Sequence, residues 1–327
     1  MKDIVSMLLG SSDPSIRYKT RVNVLGENPD SKEILRLQDE IKQSDRVKCI
    51  LSKRNADGLL EPTDNPYKKW DGAHWALALL ADIGYPKNDL KLQRSLDQVV
   101  DFWLQPEYYY DDAINGRYRR HASQQGNALF SALRLFDGES GKASALAHLL
   151  LKWQWPDGGW NCDQKPEADS SSFMESLIPL RGLVLYAQRT GDEQSAVACR
   201  RAAEVFLSRT LYRSRSAGRI IKSEFIKLHY PCYWHYDILF GLKVMAEAGY
   251  ISDPRCQDAL DLLESKRLPD GGWPAEAKYG RTIDAATAKR SSNSTYVTWG
   301  EVNQKVMNEW VTVDALYVLS AAGRMNR

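Results

Sequence analysis

The feature that most constrains this chain is a short loop that returns. Trp155-Pro156-Asp157-Gly158-Gly159-Trp160 comes back near the C-terminus as Leu268-Pro269-Asp270-Gly271-Gly272-Trp273. A weaker copy, Asn55-Ala56-Asp57-Gly58-Leu59, lies near the N-terminus. Each copy follows an amphipathic segment and precedes a longer loop that leads into an apolar one. A unit recurring every 45–60 residues or so, about six times, marks a repeat architecture in which each supersecondary unit buries its apolar face against its neighbours.

The segments between the loops alternate in kind. Residues 31–54 (capped by Ser31), 89–104, 140–153, 192–210 and 254–266 carry apolar side chains on one helical face. Residues 70–83, 121–136, 170–189, 232–248 and 309–322 are apolar or small-residue-rich with little polar face. A helix without a polar face is buried on both sides. Residues 2–9 and a helix opened by Asp13-Pro14 form an N-terminal pair. No strand period is sustained. An open solenoid needs end repeats with polar outer faces, whereas all-round apolar helices suit an inner ring inside an outer one. The expected fold is all-α: one domain, residues 1–327, forming an α/α toroid of about six helical hairpins. Short Gly-bearing turns gather at one end and long loops at the other, where a pocket is expected to open.

The Gln154-Trp155-Pro156-Asp157-Gly158-Gly159-Trp160 stretch closely resembles the Gln-Trp repeat of squalene and oxidosqualene cyclases and the matching repeat of protein prenyltransferase β subunits. The resemblance implies the toroid and gives the repeat a structural role. The catalytic motifs of those families do not carry over. Triterpene cyclases use an Asp-x-Asp-Asp acid, and the nearest strings here are Ala168-Asp169-Ser170, Thr282-Ile283-Asp284 and Val313-Asp314. Aligned on the repeat, Asp169 falls on the prenyltransferase zinc Asp, but Ser171 stands at the Cys. Asp163 and Pro166 stand at the diphosphate-binding Arg and Lys, and His235 lies within a residue of the zinc His. A diphosphate meets a negative charge there instead of two positive ones. No metal and no cofactor is expected on this alignment.

With 44 basic and 42 acidic residues the net charge is +2, so no global field draws nucleic acid. Five widely spaced cysteines without a Cys-x-x-Cys pair read as reduced thiols of a cytoplasmic protein. No apolar run of about 18 residues is present, so no integral membrane segment is expected. Ten Trp and sixteen Tyr favour ligand pockets.

The segments entering the apolar helices carry the candidate site. Asp71, His74, Asp169, His235 and Asp237 are the acid–base candidates. Trp70, Trp75, Trp234, Tyr236, Trp299, Arg120, His121 and Glu175 are the ligand-binding ones. Each has a plain alternative as a helix cap or a satisfied core group. His229, Cys232 and His235 invite a metal reading, but His229 and His235 do not share a helical face and Pro231 breaks the segment. Cys162 is a nucleophile candidate with His235 as its base, weakened by neighbouring carboxylates. Arg117, Arg119 and Arg120 form a basic cluster suited to an anion, or to pairing with Asp111 and Asp112. The loop 274–304 reads as a lid. Three functions stay open: an enzyme or binder for a hydrophobic, isoprenoid-like ligand without diphosphate, a carbohydrate-active hydrolase or lyase, and a non-catalytic scaffold.

Overall fold

The computed structural model describes residues 2–108, 112–137, 141–282, 294–295 and 297–325. Asp111 and, within the stretch expected as a lid, residues 283–293 (Ile283 and Asp284 among them) and 296 lie outside them. The described residues hold thirteen α-helices and one minimal parallel pair, Arg281–Thr282 with Ser294–Thr295. In chain order the helices are α1 (Lys2–Leu9), α2 (Pro14–Lys19), α3 (Lys32–Gln43), α4 (Asp45–Ile50), α5 (Ala73–Asp82), α6 (Leu90–Trp103) and α7 (Ala122–Leu135). They continue with α8 (Gly141–Trp153), α9 (Phe173–Thr190), α10 (Glu193–Leu207), α11 (Ile238–Glu247), α12 (Gln257–Ser265) and α13 (Glu309–Ala321). A π-helical turn, Thr20–Val24, continues α2. The all-α expectation holds, and no helix among the described residues is long and apolar enough to cross a membrane.

The all-round apolar helices are the most buried. In α5 only Ala78 and Asp82 escape full burial, and α13 is buried from Trp310 through Leu316. They pack in sequence order: α5 on α7, α7 on α9, α9 on α11, α11 on α13, and α13 on α2 and the π turn. The amphipathic helices lie against them, α6 on α5 and α7, α10 on α9, and α12 on α11. Two glycines let α7 and α9 cross closely. A Cβ on Gly126 would stand 2.7 Å from Pro179 N, and one on Gly182 would stand 2.8 Å from Gly126 O.

The repeated loops share one hydrogen-bond pattern. Trp155 N donates to Gly159 O (2.8 Å) and Gly158 N to Trp155 O (3.0 Å). Leu268 with Gly272 and Gly271 with Leu268 repeat this at 2.8 and 2.9 Å, and Asn55 with Leu59 and Gly58 with Asn55 at 2.9 and 3.0 Å. Gly158 (φ 103°), Gly271 (91°) and Gly58 (79°) occupy the left-handed region that a Cβ resists. In the two full copies the closing Trp is a rivet. Trp160 Nε1 donates to Leu150 O at the end of α8, and its backbone N–H donates to Ser176 Oγ on α9. Trp273 does the same to Leu263 O on α12 and Thr312 Oγ1 on α13. The loop therefore fastens the end of one amphipathic helix to the start of the next apolar one, which accounts for its recurrence.

Three helix boundaries differ from the sequence reading. The helix expected over 31–54 breaks at Ser44, whose extended backbone lets its Oγ cap Val47 N and start α4. The helix expected from residue 70 starts at Ala73, because the turn Pro66–Gly72 folds so tightly that a Cβ on Gly72 would lie 2.1 Å from Pro66 O. The helix expected over 232–248 spans only 238–247. Pro231 removes a donor, Tyr233 sits at φ 52°, and Asp237 caps α11 through Phe240 N (2.8 Å).

Candidate functional site

The N-terminal ends of α7 and α9 bring together three reactive side chains from separate elements. Glu175 lies in the first turn of α9, where Ser172 caps the helix, and is 6% exposed. Its Oε2 accepts from Ser123 N (3.0 Å) in α7, and its Oε1 lies 3.1 Å from His121 Nδ1. His121 is the residue before α7 and its side chain is largely exposed. Cys162 follows the repeat loop and is half-buried. One ligand-capable atom from each of His121, Cys162 and Glu175 lies within 4.8 Å of the other two. The hydrogen bond with Cys162, then that with Glu175, pushes the His121 pKa up to about 10. Tyr67 hydrogen-bonds Gln124 close by, within electrostatic reach of Glu175 and Cys162.

Arg119 makes this meeting possible. It forms a parallel bridge with Asn161, and its buried guanidinium donates to Asp163 O (2.6 Å), Ala168 O (3.1 Å) and Pro166 O (3.2 Å). Gln164 Nε2 ties Arg119 O to Cys162 O, at 3.1 Å each. The basic cluster is thus divided. Arg119 shapes the loop carrying Cys162, while Arg120 pairs with Asp112 and lies over Trp153. The sequence had flagged His121, Glu175 and Cys162 separately, but gave Cys162 the wrong neighbour. His121, not His235, stands beside it.

The remaining candidates disperse. Asp237 is fully buried and spends its oxygens on Phe240 N, on His229 N (2.9 Å) and on His229 Nδ1 (2.6 Å). That makes it a helix cap and a pin for the segment 229–236. Tyr236 donates to Leu211 O (2.6 Å) among Phe173, Phe206 and Phe225, a core role. His74 is buried, accepts from Trp103 Nε1 at Nδ1 (3.0 Å), and is held neutral by burial, its pKa lowered to about 3. His235 stacks between Trp234 (4.1 Å) and Tyr279 (3.3 Å). Burial, then the neighbouring His229, lowers its pKa to about 3. Trp70 stacks on Tyr233 (4.1 Å) with Trp75 at its edge (4.8 Å). Asp71 pairs with Lys53 (2.9 Å), and Trp299 packs on Trp310 and Tyr230. Asp169 is exposed and accepts from Ser170 Oγ (2.9 Å). Ser171 Oγ is spent on Asp157 (2.5 Å).

The interior holds a charge cluster that the sequence reading passed over. Lys19 lies 2.7 Å from Asp314 and 3.5 Å from Asp82, and Lys243 lies 3.0 and 2.9 Å from the same pair. Arg181 joins Asp82 (3.0 Å) to Glu247 (2.7 Å), and Tyr230 donates to Asp82 (2.9 Å). Burial opposes the charge on Asp82. Lys19, Lys243 and Arg181 outweigh it and hold the carboxyl well below its usual range. The signal was present as charges flanked by apolar residues within several of the apolar runs. Examples are Asp82 ending Leu79-Leu80-Ala81, Arg181 between Leu180 and Gly182, and Lys243 between Leu242 and Val244. A cavity of about 50 Å³ lies between this cluster and His229–Tyr233. A second, of about 230 Å³, shares Asp82, Arg181 and Lys243 with it and runs on to Arg134, Gln188 and Tyr317. Comparison with family models, with curated proteins and with solved structures returns no match.

Proposed function

We propose that the chain is an α/α toroid of the terpenoid cyclase and prenyltransferase type that works as an enzyme at its long-loop face, on a small polar substrate, with Cys162, His121 and Glu175 as the reacting groups. The succession of contacts from α5 through α13 to α2, bridged back to α5 by Lys19 and Asp82, supports the ring. The convergence of a thiol, an imidazole and a carboxylate within 4.8 Å carries the enzymatic reading. Such a set suits acid–base or thiolate chemistry at an electrophilic carbon. The half-exposed thiol and exposed imidazole leave room for a substrate.

The interior favours this over an isoprenoid chamber. An apolar cavity of about 150 Å³ holds one benzene ring, and the space beneath His229–Tyr233 is about 50 Å³. The larger cavity has five charged side chains in its wall, Asp82, Arg134, Arg181, Lys243 and Glu247, against two rings, Phe130 and Tyr317. That same filling of the interior favours, as the second reading, a scaffold without chemistry. Alkylation of metal-free protein with iodoacetamide at neutral pH separates the two. Burial raises the pKa of Cys49, Cys199, Cys232 and Cys256, so Cys162 is expected to react at least about tenfold faster than any of them. His121→Asn is expected to slow it. A Cys162 as inert as the other four, or indifferent to His121→Asn, removes the thiol chemistry and favours the scaffold.

A further inference from the structure

We infer that His121, Cys162 and Glu175 hold one divalent metal ion of the borderline-soft kind, Zn²⁺ foremost, with a coordination position left open to solvent. The inference deepens the proposed reaction centre and rests on that cluster. It concerns a different property from thiol reactivity and is tested separately.

Geometry decides between two uses of these side chains. In a nucleophile–base–carboxylate relay the imidazole stands between its partners, one at each ring nitrogen. The thiol sulfur and the carboxylate oxygen are then on the order of 6 Å or more apart. Here the sulfur of Cys162, a carboxylate oxygen of Glu175 and a ring nitrogen of His121 are mutually within 4.8 Å. The three converge on a point instead of forming a line. Tetrahedral zinc, with bonds of about 2.3 Å to sulfur and about 2.0–2.2 Å to nitrogen and oxygen, sets its donors roughly 3.3–3.7 Å apart. His121 Nδ1 and Glu175 Oε1, at 3.1 Å, stand slightly closer than that spacing and need to part only a little. The Cys162 sulfur lies within 4.8 Å of both and is half-buried rather than locked in the core, so it is placed to close on the same point.

Donor chemistry names the metal class. A thiolate with an imidazole selects zinc over magnesium or calcium, which take all-oxygen shells. Three protein donors rather than four leave a position free, as in catalytic zinc sites. Groups behind the donors fix two of them. Ser123 N holds the second oxygen of Glu175, and Gln164 and Arg119 fix the backbone that carries Cys162. Such outer contacts orient ligands and raise affinity.

A second cluster among the described residues, with Asp in place of Glu, shows the contrast. His229, Cys232 and Asp237 also lie within 4.8 Å of one another. There Asp237 is committed to the cap of α11 and to two contacts with His229, and both residues are sealed from solvent. A metal entering would have to break that cap, so the set is a structural pin.

The test adds Co²⁺ alone, and then Zn²⁺ alone, to the full-length metal-free protein. One equivalent of Co²⁺ is expected to bind with a thiolate-to-cobalt charge-transfer band and visible bands of tetrahedral intensity. Zn²⁺ is expected to bleach both. Cys162→Ser, with its circular dichroism and melting temperature unchanged, is expected to abolish the charge-transfer band, and Glu175→Gln to weaken binding at least about tenfold. Absence of stoichiometric binding overturns the inference, as does a charge-transfer band that survives Cys162→Ser or vanishes in Cys232→Ser. A reactive Cys162 in metal-free protein that binds no cobalt removes the metal and leaves the reaction centre. Cobalt bound through a Cys162 that resists alkylation when metal-free leaves the metal and removes the thiol chemistry.

Discussion

Replacing Lys243 by Met tests the buried charge cluster. The cluster pairs three cations, Lys19, Arg181 and Lys243, with three anions, Asp82, Glu247 and Asp314. Met fills the aliphatic volume and leaves one negative charge in excess. Removing one partner of a buried pair costs about 3–5 kcal/mol, because the other is left uncompensated. Here Lys19 stays 2.7 Å from Asp314 and Arg181 stays 3.0 Å from Asp82, so the lower end, about 3 kcal/mol, is expected. At about 2 °C per kcal/mol for a chain of this size, the melting temperature falls by about 6 °C. In the wild type the depressed pKa of Asp82 gives stability that is complete above the unfolded value, about 4, and is lost only as pH falls below it. In Lys243→Met one of the cations that hold the Asp82 carboxyl low is gone, its folded-state pKa rises, and the deficit shrinks as pH falls below about 4. Adding Asp82→Asn restores charge balance and is expected to recover at least half of the loss at pH 7. Thermal melts followed by circular dichroism read all three. A fall under about 2 °C, or a second substitution that deepens the loss at pH 7, refutes the reasoning.

Two further outcomes follow from the same structure. Burial holds His74 and His235 neutral with pKa values of about 3. Their contribution is whole above the unfolded value of about 6.5 and is lost as pH falls toward 3, at about 1.4 kcal/mol per pH unit for each. His74→Gln keeps an acceptor for Trp103 and is expected to flatten the acid limb of the stability–pH curve by one proton's slope; an unchanged slope counts against a buried neutral His74. Gly158→Ala puts a Cβ 2.2 Å from Arg201 O at φ +103° and is expected to cost about 3 kcal/mol or more. Gly191→Ala, at φ +71° with nothing within 4 Å, is expected to cost about 1 kcal/mol. Equal melting temperatures for the two would show that the loop tolerates displacement.

The loop and the helix alternation were legible because their causes are local. An Asp-Gly-Gly-Trp string demands its turn wherever it stands, and an all-round apolar helix must be covered on both sides. Helix ends went wrong where one side chain or one contact competed with the helical period, as at Ser44, at Gly72 against Pro66, and at Asp237. The candidate site was legible only as a set of reactive residues near the starts of the apolar helices. Asp237, Tyr236 and His74 look reactive in the sequence and are caps or core groups in space.

By itself the sequence determined that this chain is helical, that it repeats, and that the repeat ends in a turn closed by tryptophan. Those follow from backbone propensity and from the period of apolar residues, which act over a few positions. Only the tertiary structure decided which side chains meet. His121 and Cys162 are brought together by Arg119, whose three hydrogen bonds reach carbonyls more than forty positions away. Five helices each bury a charge because the others supply its counter-charge. Such pairings depend on how helices stack, and no local pattern in the chain encodes them.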